Sequence, residues 1–489
     1  MTKKEKWREH LRSLAVGVLL LILICLSVIY ILSFSGAEDH EFSAEDMEAV
    51  SSESTRYQYL DYWNSNYIAP SFIGFSSKKH GENIGFHTLG GANADVYESV
   101  SPFIEKLFGS EGESELLSPE KGSSLFHALL KGDYIYVSYI CDLPSSLILS
   151  MTQDDVFNGD TGEYIRELLI VPSEYLWKKS VPTPNGETVL SDLYSFYALA
   201  RDSQGNYYRY TTEYLPTDGE SIAFHTNFYL TYNEAENRLP YEFAYLWQQD
   251  TFLRENGFSE KVSDTTVIPL SGAPYEAPIV FAESRIASGT DINPILESFF
   301  MNPEKITSYT DDLGTVFYFD EGRNISISTD GDLLFSAHGE EGIPLETLFG
   351  WKTGEETYDA FDHIGASIIA AERLREAHTP TNCKPYISGI HYDGEKLTVS
   401  FGYAAGGMPI YFNGNNDIIS FSFSADTLQS AEYRFWTVHT TALTDKAPDL
   451  AWSLRSYLLT EEKQQYYFYG YYFSNQQSRT GADILKIPS

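Results

Sequence analysis

The sequence predicts an α+β protein: a single N-terminal transmembrane helix followed by two or three extracellular modules of antiparallel sheet packed with helices. Three observations predict it. One unbroken apolar run stands near the N-terminus. Many later segments alternate apolar and polar residues with the period of a strand, separated by turn residues. One long segment, 359–377, carries the helical period instead. The aromatic content of 15%, mostly 36 Tyr and 30 Phe, suits sheets with large half-buried side chains.

The apolar run is Leu14–Leu32, LAVGVLLLILICLSVIYIL, long enough as a helix to cross about 30 Å of hydrocarbon. Lys3, Lys4, Lys6, Arg8 and Arg12 precede it, and Glu38, Asp39, Glu41, Glu45, Asp46 and Glu48 follow. Basic residues collect on the cytoplasmic side, so 1–12 reads as a cytoplasmic tail and 13–34 as the anchor. The acidic, Ser-rich stretch 35–56 reads as a stalk, with the bulk of the chain extracellular. The rival is a signal peptide cut near Ser35-Gly36-Ala37, but the run exceeds the usual 7–15 residues of such a core. Cys25 is then an apolar residue of the helix. The residues taken as anchor and partner-facing are Leu14, Gly17, Leu20, Leu21, Ile24, Ser27, Val28 and Ile31. Small residues such as Gly17 and Ser27 let another helix approach; the alternative is a helix facing lipid all round.

Composition bounds the rest. The 489 residues correspond to roughly three domain-sized units. Lys and Arg total 33 against 69 Asp and Glu, and the net charge of −36 argues against nucleic-acid binding. Hydrophobic residues at 43% are enough for real cores. The three cysteines, Cys25, Cys141 and Cys383, exclude a disulfide-dense scaffold and a multi-cysteine zinc protein. Cys141 and Cys383 could pair, but they fall in different expected modules and read as two buried free thiols.

Two ectodomain modules are expected, 57–280 and 290–489. In the first, Asp95–Phe108 has helical spacing despite Pro102, and Ser118-Pro119-Glu120 resembles a capped helix start. Tyr134–Ile140 and Tyr164–Val171 read as strands. Leu193–Ala200 and Tyr207–Thr212 read as a hairpin around Ser203–Asn206. Ser271–Pro278 is looser, which places the boundary between it and Asp291. In the second, Thr315–Phe319, Ile325–Ile327 and Leu333–Phe335 form strands, with a tight turn at Asp330-Gly331. The helix at 359–377 lines Phe361, Ile364, Ile368, Ala371 and Leu374 on one face, with Asp362, Glu372, Arg373 and Glu376 off it. A β-meander follows. Ile419, Phe421 and Phe423 alternate with serines, so that sheet packs on one side against the helix. Tyr466–Phe473 is a last aromatic strand.

The sequence offers no convincing active site. It contains no HExxH, no GxxxxGK and no GxSxG. Ser118-Pro119-Glu120-Lys121, Tyr411-Phe412-Asn413 and Lys352-Thr353-Gly354 echo the three signatures of acyl-serine enzymes, but in the wrong order. Gly122 is expected to break the helix that such a Ser and Lys need. His363 reads as a surface or boundary side chain, and His391 and His439 lie near strands. Asp154, Asp155, Asn158, Asp160 and Glu163, and separately Asp330 and Asp332, lack EF-hand spacing and suit turns as well as Ca²⁺. No catalytic residue, metal, cofactor or small-molecule substrate is therefore expected.

Four stretches carry a likeness: Tyr134–Leu149 (YIYVSYICDLPSSLIL), Tyr318–Phe335 (YFDEGRNISISTDGDLLF), the helix 359–377, and Lys396–Phe412 (KLTVSFGYAAGGMPIYF). With the single anchor they resemble the YycH family and its shorter relative YycI, membrane-anchored regulators in Gram-positive bacteria. The likeness extends over most of 57–489, on motifs that are mainly fold-determining apolar residues and turns. The helix at 359–377 lacks the family's Gly-rich end, and the chain is longer than the family pattern. The resemblance implies a non-enzymatic regulator of an essential cell-wall sensor histidine kinase, the membrane-bound half of a two-component system. The anchor would pack on the kinase's transmembrane helices, the ectodomain on its outer domain, together with a second anchored regulator. The alternative is an extracellular module that binds cell-wall glycan or acts as a scaffold. Aromatic side chains clustered in a row on one exposed face would favour glycan; scattered, half-buried tyrosines would favour the regulator.

Overall fold

The computed structural model describes residues 67–77, 82–109, 112–150, 163–172, 177–182, 188–214, 232, 241–245, 267–269, 276–284, 291–320, 322–338, 341–349, 358, 360–377, 383–393, 396–412, 417–446 and 471–473. The chain divides into two compact units, Met1–Thr55 and Arg56–Ser489, and every described residue lies in the second. The tail, anchor and stalk lie outside the described residues. Among those described, no helix is long and apolar enough to cross a membrane. The architecture is α+β, two large antiparallel sheets with few helices.

The first sheet contains β1 (Phe72–Ser77), β2 (Glu82–His87), β3 (Gly112–Leu117), β4 (Tyr134–Pro144), β5 (Tyr164–Pro172), β6 (Trp177–Pro182), β7 (Thr188–Arg201), β8 (Tyr207–Tyr214), β9 (Tyr241–Tyr245) and β10 (Val267–Pro269). Its order is β10-β9-β2-β1-β4-β5-β7-β8-β3, with β6 against β7. The helices of this half are α1 (Ala94–Phe108), α2 (Pro119–Leu129) and α3 (Ser145–Ser150). Both faces of the central strand β4 are covered. Ile135, Val137 and Tyr139 enter the core that holds Val96, Val100 and Ile104 of α1. Tyr134 and Tyr136 enter a second core with Phe126 of α2, Leu130 and Tyr207. A strand buried on both faces reads as a continuous apolar run, and YIYVSYI does.

Ser118 caps α2, its hydroxyl accepting from the Lys121 amide at 3.4 Å, with Pro119 in the first position. The expected break at Gly122 does not occur. The helix runs through it because glycine lets α2 lie flat on Tyr207; an added Cβ would stand 2.3 Å from that ring. The β7–β8 hairpin forms as expected, with Asp202 Oδ1 accepting from the amides of Gln204 at 2.9 Å and Asn206 at 2.8 Å.

The second half contains β11 (Glu276–Ser284), β12 (Thr307–Thr310), β13 (Val316–Asp320), β14 (Arg323–Ile327), β15 (Asp332–Ala337), β16 (Ile343–Pro344), β17 (Lys384–Tyr392) and β18 (Lys396–Ala405). It continues with β19 (Met408–Phe412), β20 (Ile419–Ser424), β21 (Thr427–Arg434), β22 (Trp436–Lys446) and β23 (Tyr471–Phe473). The second sheet runs β12-β13-β14-β15-β21-β20-β18-β19-β23, with β16 on β21 and β17 on β18. Only β19 and β23 pair in parallel among the described strands. Of the expected strand at 466–473, the residues before Tyr471 lie outside those described. β11 pairs with β22, so the chain enters the C-terminal half's hydrogen bonding before residue 285.

The helices here are α4 (Asn293–Ser298), α5 (Leu345–Phe349) and α6 (Ala360–Ala377). α6 lies on one face of the second sheet, and α4 and α5 pack against it. Two expectations are corrected here: Asp362, placed off the apolar face by periodicity, and His363, read as a surface or boundary side chain, are both buried. His363 is satisfied there. Its Nε2 lies 2.8 Å from the Ala425 carbonyl, and its ring meets Phe423 edge-on. The far face of the sheet keeps the serines of β20, whose burial alternates with Ile419, Phe421 and Phe423.

Candidate functional site

None of the expected anchor residues, Leu14, Gly17, Leu20, Leu21, Ile24, Ser27, Val28 and Ile31, falls within the described residues. Two places in the described part are built for contact: the junction of the sheets and the free edge of the second sheet.

The junction holds the start of the described chain. The Tyr67 carbonyl accepts from the Ile387 amide of β17 at 2.7 Å, and its hydroxyl donates to Glu372 of α6. Glu372 is held in turn by Arg375 Nε at 2.7 Å. The Tyr67 ring meets Phe401 of β18 edge-on at 5.9 Å. A few residues later the Ser71 amide donates to Ser138 of β4 at 2.7 Å. One short segment thus bonds to both sheets. Cys141 of β4 lies here, its Sγ 3.7 Å from the Ile387 carbonyl, and burial pushes its thiol up to about 12. A thiol held protonated is a poor nucleophile, so Cys141 is a packing residue. Cys383 is likewise buried. The Leu89 amide reaches the Gly407 carbonyl at 3.2 Å. Gly407 has φ +81°, and a Cβ on it would lie 2.4 Å from the His87 carbonyl oxygen. Burial lowers His87 to about 4, a hydrogen bond with the Ser71 backbone opposing it.

The free edge is β12, whose four residues are all exposed. The register sets Tyr309 opposite Phe317, and Thr307 opposite Phe319. Directly opposed residues share a face, so Tyr309, Phe317 and Phe319 stand together, on the face away from α6. Their rings are nearly parallel: 12° between Tyr309 and Phe317 at 4.9 Å, 6° between Tyr309 and Phe319 at 5.7 Å. Tyr309 is 52% and Phe319 36% exposed. Asn324, Ser326 and Ser336 follow on the same face. Asn324 is held on both sides: the Ser336 hydroxyl donates to its Oδ1 at 3.0 Å, and its Nδ2 lies 3.5 Å from His338 Nε2. The β12–β13 turn is fixed by Asp311, whose Oδ1 accepts from Leu313 at 2.9 Å and Thr315 at 2.8 Å. Sequence reading found β13 but missed Tyr309. The one signal was β-branched and aromatic residues in Thr307-Ser308-Tyr309-Thr310, closed by the Asp-Asp-Leu-Gly turn.

The acyl-serine constellation does not assemble among the described residues. Ser118 is occupied as a cap, Lys121 lies 3.9 Å from Glu115 on the surface, and Lys352 is outside the described residues. Of the acidic cluster, Asp154, Asp155, Asn158 and Asp160 also lie outside them, whereas Glu163 accepts from the Ser114 hydroxyl at 2.7 Å and the Tyr210 hydroxyl at 2.8 Å. No group of three or more His, Cys, Asp or Glu among the described residues is placed to hold a metal. Comparison with protein-family models, with curated proteins and with solved structures returns no match.

Proposed function

We propose that this chain is a non-enzymatic, single-pass membrane regulator that works by contact, and that its partner is a two-component sensor histidine kinase. In this reading the tail is cytoplasmic and Arg56–Ser489 is extracellular. The anchor packs laterally on the kinase's transmembrane helices through the Leu14–Ile31 set, beside a second anchored regulator. The observation that carries the contact mechanism is the clamping of Tyr67 to β17, α6 and β18 at the junction of both sheets. A segment bonded to both sheets moves them together, so a partner touching either sheet acts on one body.

The family resemblance supports the choice of partner. β4 passes through Pro144 into α3, β13 to β15 form successive hairpins, and β18 breaks at Gly406-Gly407 before β19. A regulator of this kind must bind the kinase's two signalling states unequally, since equal binding shifts nothing. The test is in-membrane crosslinking of the full-length protein in its native cell, beside a version whose Leu14–Leu32 is replaced by an unrelated anchor. Recovery of a sensor histidine kinase that is lost on replacement supports the anchor contact. Recovery of wall glycan and biosynthetic enzymes alone contradicts the kinase reading.

A further inference from the structure

From the free edge of the second sheet we infer an interface: β12 pairs antiparallel with β12 of a second copy of this chain, Ser308 opposite Ser308, about a two-fold axis. The inference does not rest on the kinase reading, because it uses only the geometry of β12 and its turn.

The register fixes which backbone groups face out. The Asp311 amide donates to the Thr315 carbonyl at 3.0 Å, and the β12–β13 ladder continues from there without a shift. Antiparallel bonding alternates along a strand, so Thr307 and Tyr309 bond to β13 while Ser308 and Thr310 turn their N–H and C=O groups outward. No described strand meets them, and all four residues of β12 are exposed. Such a row is a template for another strand, which many edges guard against with charge. At β3, the end strand of the first sheet, Glu115 is such a guard, pairing with Arg209 and lying 3.9 Å from Lys121. Thr307–Thr310 carries no charge, proline or bulge.

The occupant follows from self-complementarity. A two-fold axis normal to the sheet keeps like faces together, so a residue opposes only residues of its own face in the other copy. With Ser308 on the axis, Thr307 opposes Tyr309 and Ile306 opposes Thr310, and the outward groups of Ser308 and Thr310 find partners. The flanking charges agree. Lys305 precedes the strand, is exposed and has no ion pair among the described residues. Asp311 follows it, with Oδ1 held by the turn and Oδ2 left for a cation. This register brings Lys305 of each copy to Asp311 of the other. The net charge of −36 opposes approach at long range, but salt screens it beyond about 8 Å. A contact this short is weaker than a standard interface, so the test traps it covalently.

Intact cells expressing the full-length protein are oxidised with copper phenanthroline, and dimers are read on non-reducing gels. Ser308→Cys should crosslink strongly, since an opposed bonded pair sets its Cα atoms about 5.5 Å apart, inside the ~4.4–6.8 Å that a disulfide spans. Leu313→Cys, in the exposed turn, supplies the collision background, and the natural chain supplies that of Cys25, Cys141 and Cys383. On the Ser308→Cys chain, Thr310→Pro removes an outward N–H without touching the β13 ladder and should abolish the crosslink. Lys305→Glu should lower its yield about threefold. Thermal melts identify the variants that stay folded. Crosslinking of Ser308→Cys no higher than that of Leu313→Cys overturns the inference. So does a crosslink that survives both Thr310→Pro and Lys305→Glu.

Discussion

Strands β4 and β20 sit at comparable central positions in their sheets and solve burial differently. In β4, YIYVSYI, successive residues point to opposite faces and nearly all are buried, because α1 and α2 cover the two sides. In β20, ISFSFS, only alternate residues are buried, because α6 covers one side and the other stays open. The first sheet therefore spends both faces on stability. The second keeps a face for something else, and its open edge carries the exposed rings.

The largest effect should come from the doubly covered sheet. Glu167 of β5 and Arg201 of β7 form an ion pair of 2.7 Å in its second core, with the Tyr136 hydroxyl donating to Glu167 at 3.0 Å. Arg201→Met leaves that carboxylate buried without its cation and should cost about 3–5 kcal/mol in denaturant unfolding. Replacing Glu167 and Arg201 together by Met should recover much of it. A double variant as unstable as the single one would break this half of the contrast.

Two adjacent residues sharpen the other half. Phe421→Ala removes a ring between β20 and α6 and should cost about 3–4 kcal/mol. Ser422→Ala, one position along on the open face, should stay within about 0.5 kcal/mol. Similar losses at both positions would mean that the serine face is covered as well.

The junction comes next. Gly407→Ala places a side chain at φ +81° and against the His87 carbonyl, and should cost about 1–3 kcal/mol. The smallest effect at neutral pH belongs to His87 itself. Its folded pKa, about 4, lies below the ordinary 6.5, so the unfolded chain takes up the proton first. Its contribution is complete above pH 6.5 and is lost as pH falls through about 4. Thermal melts should fall across that window in the natural protein and less steeply in His87→Gln.

Much of this fold was legible. Period-two alternation in ISFSFS gave both the strand and its open face, and Ser118-Pro119 gave the start of α2. What local pattern could not show is what tertiary packing decides. Gly122 looks like a helix breaker until Tyr207 lies across it. Asp362 and His363 look like surface until α6 settles on the sheet, where both are buried and His363 meets Phe423 and the Ala425 carbonyl. The two modules looked separate because β11 to β22 pairing, Tyr67 and Gly407 join residues far apart in sequence. The ring row needed the β12–β13 register, which puts Tyr309 beside a partner eight positions on.

The measurement that bears most directly on regulation by contact is kinase autophosphorylation in proteoliposomes holding the partner kinase alone, with the full-length protein, or with the protein carrying an unrelated anchor. A change in phosphorylation rate with the natural chain, abolished by the exchanged anchor, is the predicted result. An unchanged rate in all three preparations, with both proteins shown to be inserted, would contradict it.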